Sequence, residues 1–138
     1  MQQMGSSDDH SLKVVLWITG IGCLTAVPFI FLPWSVIKAM ASFFGHDPIP
    51  DVPVLIYFTK VLCGAGGFIG IFFIILARNP LGYGPMLYLG AYGLIVLGLL
   101  ELVLGIIIDV SPIVYIGDVS FALILGIIIL AFSLKLTR

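Results

Sequence analysis

Three ionisable residues, Lys60, Glu101 and Asp118, lie inside long apolar runs. In hydrocarbon each costs ~2.5 to 3.5 kcal/mol to insert, so each calls for a physical reason. With helices starting near Pro53 and ending near Ile108, Lys60 and Glu101 both fall about 10 Å inside the boundary remote from the termini, at 1.5 Å of rise per residue. Asp118 falls roughly 7 to 8 Å inside the same boundary by the same rise. The spacing therefore predicts one layer holding a cation and two carboxylates. Tyr57, Lys60, Gly64 and Gly67 share one helix face, and Glu101 shares a side with Gly90, Gly98 and Gly105. If the glycine faces are the packed ones, both charges point inward, and an ion pair between Lys60 and Glu101 is expected.

That pair has two plain structural readings, a contact that fixes helix register and a lysine that reaches the headgroups on its own. In the functional reading Asp118 leaves the layer with surplus negative charge. The set Lys60, Glu101, Asp118 and Tyr57 would then suit a cation, a proton relay or the polar head of a lipid. Catalysis is not called for, because the cluster brings acids, a lysine and a tyrosine but no nucleophile, base and oxyanion donor together.

Other chemistry is thin. Cys23 and Cys63 fall near the middle of their apolar runs, where isolated cysteines usually act as small apolar packing residues, although a redox or soft-metal pair is the alternative. His10 and His46 stand outside those runs, so no ligand set for haem, an iron–sulfur cluster or catalytic zinc forms, and no cofactor is expected.

The elements that position these residues follow from composition. Of 138 residues 61% are hydrophobic and 9% charged, and mean hydropathy is +1.25. A water-soluble domain carries roughly a quarter of its residues as charges. The net charge of −1 and the absence of a basic run argue against nucleic acid as a partner and leave the lipid bilayer as the medium. After a polar tail, 1–11, four apolar runs are each long enough to cross a hydrocarbon core: 12–32, 52–77, 86–108 and 113–134. Unbroken hydrophobicity excludes the alternation of a β-barrel, so the reading is all-α, an integral membrane four-helix bundle in one transmembrane domain. Breakers at 78–85 and 109–112 make the last two connections short, which predicts antiparallel neighbours among the second, third and fourth spans, with the first closing the bundle.

Between the first two spans, Val36, Ile37, Met40, Ala41 and Phe44 recur near helical spacing, with Ser35, Lys38 and Ser42 on another face. This fits a short interfacial helix and equally the aromatic end of the first span. Lys13, Arg78, Lys135 and Arg138 lie on the terminal side against Lys38 on the other, which places both termini in the cytoplasm. A cleaved signal peptide ending at Ala39-Met40-Ala41 is disfavoured by Asp8-Asp9 and by the length of the run. The glycines, Gly66 and Gly70 among them, read as surfaces of close helix approach.

From Phe58 to Gly98 a Gly-rich apolar span, then Ala77-Arg78-Asn79-Pro80, then a second Gly-rich span resembles the DoxX-like group of small bacterial four-helix membrane proteins. The resemblance covers less than half of the chain and carries over no functional residue. It implies a four-helix bundle in a bacterial inner membrane and, in some members, an accessory role in redox systems. The expected function is a small accessory or scaffold subunit, or a binder of a lipid or other apolar molecule, alone or with other subunits or copies of itself. The alternative is an ion- or proton-coupled carrier.

Overall fold

The computed structural model describes residues 2–45, 48–109 and 111–136, and every regular element in them is helical. The first span is α1 (Gln2–Leu24) followed by a single turn, α2 (Pro28–Phe31). A separate helix, α3 (Trp34–Phe43), leads to α4 (Pro53–Arg78), α5 (Pro85–Ile107) and α6 (Pro112–Leu136). Four helices are long and apolar enough to cross a membrane, counting α1 with α2, and they pack antiparallel. Prolines stand at the start of α4, α5 and α6, where the missing N–H is one that the first helical turn could not use. The helix of the first span begins at Gln2 rather than at Leu12, because Asp9 pairs with Lys13 one turn on at 2.7 Å and Asp8 reaches Lys135 of α6 at 2.7 Å. His46, within the polar connection, lies outside the described residues.

Contacts arrange the spans in the order α4, α1, α6, α5. The expectation that the second and third spans would pack as neighbours is met only at one point, since α4 and α5 scarcely touch. The reason lies in where small residues fall. A Cβ on Gly70 would stand 2.7 Å from the Gly20 carbonyl oxygen, and one on Gly20 would stand 2.9 Å from that of Gly70, so α1 and α4 meet backbone to backbone. Between α5 and α6 a Cβ on Gly126 would stand 3.1 Å from the Ala91 carbonyl oxygen, while Gly98 and Gly105 make room for the side chains of Leu123 and Tyr115. Between α4 and α5 only Gly90 is so covered, by the rings of Phe72 and Phe73. Lipid tails compete equally well for apolar surface, so helices join where backbones can approach.

The buried core therefore sits toward the end that carries both termini. Leu12, Leu16, Phe73, Leu76, Ala77, Leu87, Ala91, Leu94 and Ile129 form one cluster, all from that half of their helices. The two buried hydroxyls there are satisfied within their own helices, Thr19 donating to the Val15 carbonyl at 2.8 Å and Ser133 to that of Ile129 at 2.6 Å. Replacing Gly70 by Ala should cost ~1 to 3 kcal/mol, since the obstructing atom is backbone and cannot turn away. Gly93→Ala, with open space around it, should be neutral or slightly stabilising; thermal unfolding of both variants in detergent checks the contrast.

Candidate functional site

The contacts between helices fix the depth of each charged residue. On α5, Gly98 faces Ala122 and Leu123, while Gly105 faces Tyr115, so Glu101 lies level with the turn of α6 that bears Asp118. Glu101 is half-buried there and Asp118 is exposed. Gly22 of α1 faces Phe121, and Gly20 faces Gly70 and Ile74 of α4, so the part of α4 level with Glu101 is near Gly67. Lys60 stands about two turns, or ~10 Å, farther toward the end remote from the termini. The single layer expected from counting in from each helix end is thus divided, because the helices do not end at one common plane.

Direction separates the charges further. Gly67 meets Val27 and Gly64 meets Ile30, so the stripe Lys60, Gly64 and Gly67 is turned toward the end of the first span at Val27 and α2. The stripe that looks toward α5 is Phe58, Leu62, Ala65, Ile69 and Phe72, on the opposite flank of α4. The face carrying Lys60 is a packed face, but its partner is α2, not α5. The ion pair expected between Lys60 and Glu101 is consequently not formed. The ion pairs among the described residues join Lys13 to Asp9, Lys38 to Asp51 and Lys135 to Asp8. Tyr57 is exposed, one turn before Lys60, with its ring edge-on to Phe58 at 5.6 Å between centroids.

Glu101 is partly buried, and its Oε2 is enclosed with no hydrogen-bond partner. It belongs to a stripe of α5 made of Gly90, Leu97, Glu101 and Leu104. That stripe touches α4 at Gly90, against Phe72 and Phe73, and then parts from it. Leu97 and Leu104 are exposed on one side of the gap, as are Phe58 and Leu62 on the other. From the contact at Gly90, α4 and α5 thus part as a wedge toward the end remote from the termini, with half-buried Glu101 on the α5 stripe beside it and exposed Asp118 level with Glu101 on α6.

A feature that periodicity passed over lies at the same depth. The first span is interrupted at Thr25 to Val27, where the bonds shorten to the three-residue kind: Ala26 to Cys23, Val27 to Leu24, Phe29 to Ala26 and Ile30 to Val27. The donor that would reach the Thr25 carbonyl in this run is Pro28, which has no N–H. The Thr25 hydroxyl bonds back to the Gly22 carbonyl at 2.6 Å. Pro28 inside an apolar run was the available signal. Cys23 and Cys63 are free thiols on adjoining helices, and the described residues hold no group of three or more potential metal ligands from His, Cys, Asp and Glu.

These features define a small polytopic membrane protein in which α4 and α5 meet near the termini and part toward the other end. The chain matches no protein-family model, no curated protein and no solved structure. The separation of Lys60 from Glu101 has a thermodynamic consequence. In a double-mutant cycle, Lys60→Met and Glu101→Gln should combine within ~0.5 kcal/mol of additivity. Glu101→Gln alone should leave detergent stability unchanged or raised, since it removes a charge from a half-buried position where one carboxylate oxygen has no hydrogen-bond partner.

Proposed function

We propose that this protein binds a lipid or other apolar molecule carrying a polar group, seated between α4 and α5, and serves as a non-catalytic subunit in its membrane. One observation carries the reading: α4 and α5 part where Leu97, Leu104, Phe58 and Leu62 are exposed, and half-buried Glu101 stands on the same stripe as Leu97 and Leu104. An apolar ligand with a hydroxyl, amide or amine would satisfy Glu101 while its chain lies along the two helices. The basic residues Lys13, Arg78 and Lys135 stand at the terminal end and Lys38 at the other, which supports a cytoplasmic position for both termini. An accessory role, as in some DoxX-like proteins, is compatible with this reading.

A second reading rests on the pairing of Glu101 with Asp118. Two carboxylates at one depth would share a cation or a proton, and the protein would then work as an ion- or proton-coupled carrier. Lys60 has no part in either reading of the wedge.

The discriminating experiment uses a phospholipid with a photoreactive acyl chain in proteoliposomes. Binding in the wedge should concentrate adducts on residues 58–69 and 97–104, and Leu62→Trp with Leu97→Trp should deplete them several-fold. Adducts spread evenly over the lipid-facing surface would count against a seat between α4 and α5. A proton or cation flux in the same liposomes, abolished by Glu101→Gln, would favour the carrier.

A further inference from the structure

The connection between the first and second spans carries a surface that the wedge does not use. Leu32, with ψ of 140°, and Pro33, with φ of −58° and ψ of 143°, are extended and end the first span, and α3 starts afresh at Trp34. α3 makes at most marginal contact with the four spans. Trp34, Ile37 and Ala41 are half-buried and share the face turned to the rest of the chain, and Lys38, also half-buried, stands at the edge between that face and Ser42. The face turned away holds Val36, Ala39, Met40, Phe43 and Phe44, which with Ser35 line a shallow apolar depression. Phe43 is 84% exposed. Lys38, on the other edge, donates to both carboxylate oxygens of Asp51 at 2.8 and 2.7 Å, which links α3 to the residues that lead into α4.

We propose that α3 lies in the plane of the membrane surface at the end of the bundle remote from the termini, with Val36, Met40, Phe43 and Phe44 seated among the acyl chains of that leaflet. The occupant of the apolar face is lipid, and two observations support this. The face is continuous with the lipid-facing belt of the spans, since Phe31, immediately before the break, is 82% exposed and Val52 and Val54, at the start of α4, are exposed as well. The spans on either side also begin and end there, so α3 is tethered at both ends to the membrane boundary. A ten-residue helix standing straight out of the bilayer would reach ~15 Å into water with both phenylalanines bare. Lying flat, it places the same side chains in hydrocarbon and keeps Lys38, Ser42 and Asp51 on the wet side, as an in-plane amphipathic helix requires.

The test places a nitroxide by Phe43→Cys, Met40→Cys or Ser42→Cys in the full chain lacking its own thiols (Cys23→Ala, Cys63→Ala), reconstituted in liposomes. Each variant is first checked for native helicity and a single size. Collision rates with oxygen, which enters lipid, and with a water-soluble nickel chelate are then compared. The expected result is that oxygen dominates at Phe43 and Met40 and the chelate dominates at Ser42. Chelate dominance at Phe43 and Met40 would overturn the proposal by placing the face in water. Low access to both probes, with dipolar broadening between labels that disappears on dilution with unlabelled protein, would overturn it in favour of a second copy covering α3.

Discussion

Close backbone approach is the constraint on which this fold depends. A water-soluble bundle gathers its helices by removing apolar surface from water, but a helix in lipid gains nothing of that kind by leaving acyl chains for another helix. What remains is packing, and packing is best where no side chain holds the backbones apart. Gly20 against Gly70 joins α1 to α4, and Gly98, Gly105 and Gly126 join α5 to α6. Two tight pairs result, coupled through α1 and α6 and through the cluster around Leu16, Phe73, Leu94 and Ile129.

The shape follows from what is missing between α4 and α5. Their facing stripes carry Phe58, Leu62, Ile69 and Phe72 on one side and Leu97, Glu101 and Leu104 on the other. Only at Gly90 is there room for an aromatic ring to close the gap. Past that point neither helix offers the other a better surface than lipid does, so they part. The short turn at Asn79 to Gly84, where the Asn79 side chain accepts from the Gly82 N–H at 3.1 Å, brings the two helix ends together without obliging their full lengths to pack. Chain adjacency and spatial adjacency are separate matters here.

Much of this was legible in the sequence. Apolar runs bounded by Pro53, Pro85 and Pro112 announce the spans, and the glycine stripes announce packed faces. The aim of Lys60 into a packed face was also legible, because i, i+4, i+7 spacing fixes which residues share a side. Which helix meets that face was not. Lys60, Gly64 and Gly67 could equally have met α5, and the choice is settled by Val27 and Ile30, which meet α4 where the first span is interrupted before Pro28. Depth was misread for a related reason. Counting residues from each helix end assumes level ends, whereas the true register is set by contacts such as Gly22 with Phe121, many residues from any terminus.

The position of Glu101 is then intelligible in a way that a register-fixing ion pair would not make it. A buried carboxylate inside the cluster of Leu16, Phe73 and Leu94 would need a countercharge, and none faces it there. Beside the wedge Glu101 is half-buried rather than sealed in that cluster, and the cost of its charge is smaller there. The same opening that weakens the contact between α4 and α5 is therefore what leaves Glu101 half-buried, while Asp118, at the same depth on α6, is exposed. The tight half supplies the stability, and the parted half holds the groups whose chemistry packing does not explain.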